Sequence, residues 1–156
     1  IGLRGLSLVC NAAYIHSRVR FEEGAPERDR PLAGQSPYLV NAGLFYQHDD
    51  KGISASLLYN RIGKRIESVG VPMQDQNEDI PDIYEMPRNS LDLTFSKKIG
   101  KAVEIKAGIQ DMLNSKIEYK QFVKLTDQNG GKREREQLVR SYRPGVDINV
   151  GVSLKF

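Results

Sequence analysis

The last eleven residues restrict the fold more than any other stretch of the chain. From Val146 to Phe156 every even position is apolar (Val146, Ile148, Val150, Val152, Leu154, Phe156). Every odd one is polar or glycine (Asp147, Asn149, Gly151, Ser153, Lys155). Successive side chains of a strand point to opposite faces, so this segment reads as a strand with one greasy face and one polar face. Its ten residue steps span roughly 33 Å at ~3.3 Å per residue. Tilted by ~40–45°, that projects to about 24 Å, against the ~25 Å apolar band of a transmembrane barrel. Strands of soluble sheets usually run about 5–6 residues. The apolar stripe is expected to face hydrocarbon.

The same alternation recurs upstream. Its apolar phase holds Leu6 to Tyr14, Tyr38 to Tyr46, Ile53 to Tyr59, Leu91 to Phe95 and Val103 to Ile109, at every second position. Six amphipathic strands are therefore expected. The second and third are joined by the short His48-Asp49-Asp50-Lys51-Gly52, and the fourth and fifth by Ile99-Gly100-Lys101. Both are hairpin turns in which glycine supplies the positive φ. The remaining links are long and polar, at about 22–36, 71–86 and 115–140. Short turns alternating with long loops are how outer-membrane barrels are built. Aromatics (Tyr14, Tyr38, Tyr46, Tyr59, Phe95, Tyr142 and Phe156) lie toward strand ends, as interfacial girdles do.

Composition agrees once strands carry the argument. Apolar residues make up 39% and charged residues 28%. No run reaches the ~18 apolar residues of a membrane helix, but a membrane strand is greasy only at alternate positions. The net charge of +3 is spread through mixed acids and bases, so nucleic acid is not an expected partner. Cys10 is the only cysteine, which excludes an intramolecular disulfide and a cysteine metal cluster. The chain opens on Ile1-Gly2-Leu3, without a signal-peptide pattern, so a longer N-terminal part is expected. Six strands cannot close a transmembrane barrel, whose smallest members have about eight. Open edges in lipid would leave backbone groups unpaired, at several kcal/mol each. The alternate positions (Asn11, Asn41, Asn60, Asp92, Glu104, Lys106, Gln110, Asp147 and Lys155) are polar and suit a wide lumen. The expected fold is all-β: an antiparallel portion of a larger transmembrane β-barrel, comprising six C-terminal strands.

Three stretches carry a resemblance to a known family. The first runs from Asn11-Ala12-Ala13-Tyr14-Ile15-His16-Ser17 to Asp29-Arg30-Pro31-Leu32 and Gly34-Gln35-Ser36-Pro37-Tyr38. The second is Ser56-Leu57-Leu58-Tyr59-Asn60-Arg61-Ile62-Gly63-Lys64-Arg65-Ile66. The third is Asp111-Met112-Leu113-Asn114, with Arg143-Pro144-Gly145 and the final strand. The chain resembles the C-terminal barrel region of TonB-dependent outer-membrane receptors, especially those of Bacteroidetes. The resemblance implies that residues 1–156 form the C-terminal part of an approximately 22-stranded barrel. The plug domain and remaining strands would precede Ile1. It also implies an outer-membrane location and import of a scarce nutrient such as an iron chelate, haem, cobalamin or glycan. The partners it implies are outer-membrane lipid, the rest of the barrel and plug, and TonB through the absent N-terminal part. Asn149, Gly151, Leu154 and Phe156 are similar to the terminal signal read by the barrel-assembly machinery, which would engage the strand by β-augmentation. The alternatives are a passive porin or OmpA-like barrel, and a soluble β-sandwich binding module.

Candidate chemistry is sparse. His16 and His48 are expected at opposite ends of the barrel wall, too far apart to share a metal, and His16 is expected as a solvated rim residue. The acidic stretch Asp75, Glu78, Asp79, Asp82 and Glu85 lacks calcium-loop spacing and reads as a solvated loop. Lys132-Arg133-Glu134-Arg135-Glu136, with Arg140, reads as an exposed ribbon strand extending the fifth and sixth strands, the alternative being a surface that touches anionic lipopolysaccharide or a ligand. In the ribbon, Phe122-Val123-Lys124-Leu125 is expected to face Leu138-Val139. There is no G-x-S-x-G elbow, and Gly130-Gly131-Lys132 lacks P-loop spacing. No cofactor, metal site, catalytic residue or enzymatic activity is expected.

Overall fold

The computed structural model describes residues 4–25, 29–72, 79–126 and 131–155. The described chain is all β and contains no helix. Its strands are β1 (Leu6–Tyr14), β2 (Tyr38–His48), β3 (Ile53–Ile62), β4 (Arg65–Ser68) and β5 (Ile83–Glu85). They continue with β6 (Arg88–Ile99), β7 (Val103–Gln110), β8 (Ile117–Thr126), β9 (Lys132–Tyr142) and β10 (Asp147–Leu154). Two antiparallel sheets result. The main sheet has the order β1-β2-β3-β6-β7-β10, and the extension sheet the order β4-β5-β8-β9. The main sheet does not close, since β1 pairs only with β2 and β10 only with β7 among the described residues.

The main sheet consists of the six strands that period two predicts, and its register aligns their apolar phases. One row crosses every strand, from Leu8 to Leu44, Leu57, Leu93, Ile109 and Ile148. The next row is Leu6, Tyr46, Ala55, Phe95, Ala107 and Val150, in which small residues flank the rings. A slip of one residue in any pair would send that strand's apolar set to the other face. The opposite face carries Asn11, Asn41, Asn60 and Ser90 in one row. Its polar groups bond across strands: Asn60 Nδ2 donates to Asn41 Oδ1 at 2.5 Å, and Ser54 Oγ meets Ser96 Oγ at 2.8 Å. Phe45 and Leu58 also lie on this face, packed over Gly43, where a Cβ would meet the Phe45 ring at 2.7 Å.

Strand boundaries shift where polar residues interrupt the pattern. β6 spans Arg88–Ile99 rather than Leu91 to Phe95, because Asn89 and Lys97 break the apolar alternation while the backbone ladder continues. β10 spans Asp147–Leu154, and Phe156 lies outside the described residues. The two short turns form as expected. Gly52 (φ 58°) donates its N–H to Asp49 O at 2.9 Å, and Gly100 has φ 61°.

The extension sheet corrects the reading of the 71–86 link as a solvated loop, since β5 lies within it, and contains the expected ribbon of the 115–140 link. It prolongs the last four main strands, β3 into β4, β6 back into β5, β7 into β8 and β10 back into β9. The register that pairs Ile62 with Arg88 continues to pair Arg65 with Glu85, so only the pairs at 63–64 and 86–87 are missing. There the N–H of Gly63 turns to Tyr38 O (3.1 Å) and that of Met86 to Glu118 O (2.9 Å). Between β7 and β8 the register advances by two residues relative to its neighbours, an even step that preserves the faces. Asp111 (φ 51°) and Asn114 (φ 43°) absorb these extra residues. Asn114 Oδ1 accepts the Gly145 N–H at 3.1 Å, fixing the matching bend before β10. The β8–β9 ribbon exists, but Leu138 stands opposite Lys120, and Phe122 opposite Glu136. This differs from the expected pairing of 122–125 with 138–139. The offset satisfies charge: Lys120 Nζ reaches Glu136 at 2.7 Å and Glu118 at 3.4 Å.

Burial is slight: Ile66, Ile117 and Tyr119, all in the extension sheet, are the buried apolar side chains among the described residues, and Ser36 before β2 is the buried polar one. The apolar face of the main sheet is most exposed on its edge strands, with Leu8 68%, Ile148 71% and Val150 72% exposed, while Leu57 and Leu93 at its centre are half-buried among their in-sheet neighbours. The whole chain exposes 11773 Å². A self-contained folded protein of its 17.6 kDa exposes about 7,900 Å².

Gly5 sets the entry to β1. Its φ is 85°, its carbonyl accepts the Gln47 N–H at 2.7 Å, and a Cβ there would run into the Gln47 carbonyl. Gly24 has a similar φ of 89° but open space around it. Gly5→Ala is expected to cost about 1–3 kcal/mol and Gly24→Ala about 1 kcal/mol, read from urea midpoints at unchanged slope. Equal losses would remove the steric argument.

Candidate functional site

A cleft of about 300 Å³ opens where the end of β1 meets the extension sheet. Local chemistry of the segment after β1 builds one wall. Arg18 grips Asp29 with Nη2 at 2.8 Å and Nε at 3.1 Å, and the Phe21 N–H donates to the same carboxylate at 3.2 Å. That N–H first, then Arg18, holds the Asp29 carboxyl below its ordinary range despite some desolvation. Val19 and Arg30 form a single antiparallel bridge, so 15–21 and 29–36 run side by side. Leu32 N–H donates to Ser17 Oγ at 3.2 Å. The pair then seals the free edge of β4, because the Gly34 N–H donates to Ile66 O at 2.7 Å. Covering an edge strand in this way removes a site of unwanted pairing.

The opposite wall comes from β4, β5 and the residue leading into them. Lys64 Nζ lies 4.1 Å from the Tyr84 ring centroid and 3.9 Å from that of Phe122. The two rings meet edge to face at 5.7 Å. Lys64, Ile66, Tyr84 and Phe122 share the phase that continues the polar face of the main sheet. Arg65 points the other way and is neutralised by Glu85 at 2.7 Å. The polar residues lining the cleft are His16, Ser17, Gln35, Lys64 and Arg65, and the apolar ones include Tyr14, Pro31, Pro37 and Tyr84. Among the described ion pairs, no carboxylate meets Lys64. Rings and prolines beside a cation and uncharged hydrogen-bonding groups can hold a flat or hydroxyl-bearing ligand with negative charge.

The residues singled out in the sequence separate in space. His16 is exposed at the cleft, whereas His48 ends β2 in the opposite turn, ten residues along that strand from Tyr38. They stand roughly 33 Å apart by strand rise, beyond any shared ligand. Asp75 and Glu78 lie outside the described residues. Asp82 accepts the Gly70 N–H at 2.8 Å and Glu85 is taken by Arg65, so both serve local structure. Among the described residues no three His, Cys, Asp or Glu side chains gather as a metal site. Asn149, Gly151 and Leu154 lie on β10 opposite Gly108, Lys106 and Val103, with the strand's other edge unpaired among the described residues. Gly130 lies outside the described residues. Lys64, Tyr84 and Phe122 were not identifiable in the sequence, because they come from three separate segments without a shared motif. Comparison with family models, curated proteins and solved structures finds no match for the chain.

Burial first, and then Asp82, raises the Tyr84 hydroxyl above its ordinary value near 10. A raised folded value means stability is whole below pH 10 and falls as the pH climbs through the folded titration. Alkaline titration should therefore loosen the extension sheet, with tyrosinate absorbance and protease sensitivity at 79–85 rising together above pH 10. Tyr84→Phe should reduce that pH dependence; an unchanged profile would clear Tyr84 of the effect.

Proposed function

We propose that this chain is a stretch of outer-membrane barrel wall, with its attached extracellular hairpins, from a TonB-dependent receptor. The carrying observation is the continuous apolar face, in register across six strands and covered by none of the described residues. An exposed area roughly half as large again as a self-contained protein of this mass calls for a covering medium. Hydrocarbon fits the apolar face, and a water-filled lumen fits the Asn, Ser and Thr rows behind it. The unpaired edges of β1 and β10 call for further strands on both sides, since backbone groups in lipid must be bonded. A soluble sandwich needs a second layer over one face, which is not provided here.

In this reading the short turns face the periplasm, the extension sheet stands outside the cell, and its Lys64 face continues the lumen wall. The cleft at His16 and Lys64 then belongs to the ligand-facing surface at the barrel mouth. The role is recognition and wall, without catalysis. The receptor reading, as against a passive porin or OmpA-like barrel, is carried by the family resemblance. The free edge of β10, with Asn149 and Gly151 on its polar face and Leu154 on its apolar face, supports docking on the barrel-assembly machinery by strand addition.

Topology tests the reading. In a Cys10→Ala background, Glu134→Cys should react with a membrane-impermeant maleimide on intact cells. Asp50→Cys should react only after the outer membrane is permeabilised. Reaction of Asp50→Cys in intact cells would reverse the orientation, and a protein soluble and monomeric without detergent would end the barrel reading.

A further inference from the structure

The alternation Arg133-Glu134-Arg135-Glu136 looks charge-balanced in the sequence, but a strand sorts it by face. Arg133, Arg135 and, beyond a bulge, Arg140 pair with Leu125, Val123 and Tyr119, so all three share one side of the ribbon. Glu134 and Glu136 share the other side with Lys120 and Lys124. The register places the arginine side in the same phase as Arg65 and Glu85, which continues the apolar face of the main sheet. Arg140 is held flat, 4.2 Å over the Tyr119 ring and 5.8 Å from that of Tyr142. The three arginines are exposed and make no described ion pair, and the one acid in the row, Glu85, is bonded to Arg65.

We infer that this column of arginines docks the phosphate-bearing sugars of an outer-leaflet glycolipid standing beside the barrel. The inference rests on the barrel reading, which turns this face toward the surrounding membrane surface. Three arguments select the occupant. The face is cationic without internal neutralisation, and guanidinium groups pair with phosphate bidentately. It rises directly from the apolar band, so a lipid whose chains cover Ile148 and Val150 carries its head past Tyr142 and Arg140. Arg140 to Arg133 covers seven residues, roughly 23 Å of strand, which suits an upright saccharide charged at several heights better than a compact headgroup.

The test uses the intact protein in detergent, with phosphorylated lipopolysaccharide, enzymatically dephosphorylated lipopolysaccharide and inorganic phosphate as probes. The protein should bind the phosphorylated form at least tenfold more tightly than the dephosphorylated one, with affinity falling as salt rises. R133Q/R135Q, which leaves the ring-stacked Arg140 in place, should lose several-fold, and adding R140Q should lose roughly tenfold or more. R133K/R135K should retain most of the binding. Equal binding of the two lipopolysaccharides, an unchanged affinity in the triple variant, or displacement by equimolar inorganic phosphate would overturn the docking alone. A protein that does not fractionate with the outer membrane would overturn the barrel reading, and this inference with it.

Discussion

Parity governs this molecule. Each strand has two faces, and the ladder hydrogen bonds fix which residues of neighbouring strands share one. Because the pairings of the main sheet all match apolar phase to apolar phase, six separate stripes merge into one surface. Because the register advances into the extension sheet by zero or by two, the same two faces continue beyond it. A single odd step at 63–64 or 111–116 would have exchanged the Lys64 face for the arginine face. Asp111 and Asn114, two non-glycine residues held at positive φ, keep the step even. The Arg88–Asp111 ion pair at 3.0 Å and the bond from the Asp111 N–H to Asp92 at 2.8 Å support that backbone.

The chain reverses the usual arrangement of a small domain. Its few buried apolar side chains sit in the appended sheet, and its largest apolar surface faces outward. Local order in the appended sheet comes from rings and charges: Lys64 between two aromatics, Arg140 on two tyrosines, Arg65 on Glu85. Such contacts each contribute about 0.5–2 kcal/mol and do not depend on a deep core. The main sheet is held by its ladder and, on its polar face, by cross-strand bonds such as Asn60 to Asn41 and Ser54 to Ser96.

The main sheet was legible from the sequence because the apolar phase of each strand runs through several consecutive alternate positions, even though Phe45 and Leu58 stand on the polar face. Leu6–Tyr14 shows as a strand to the residue, and the polar rows behind it show equally well. Arg65–Ser68 and Ile83–Glu85 were not legible. Strands of four and three residues hold too few alternations to stand out from a polar loop, and their pairing partners are supplied by long-range register. The ribbon was legible as a ribbon but not in its offset, which the bulge at 138–139 and the Lys120–Glu136 pair decide. Of the cleft, His16 was visible as the histidine beyond the first strand. Lys64, Tyr84 and Phe122 meet only after three hairpins align.

The missing rungs at 63–64 and 86–87 have a mechanical meaning. There the hairpin's own cross-bonds give way to sideways bonds toward Tyr38 and Glu118. Above the joint the hairpin is held from both sides, by the pairing of β5 with β8 and by the Gly34 bond to Ile66. Gly63 has no side chain to jam against Tyr38 as it turns, and Pro87 has no N–H to lose. The joint thus passes the hairpin's backbone bonds from its own two arms to the strands on either side of it.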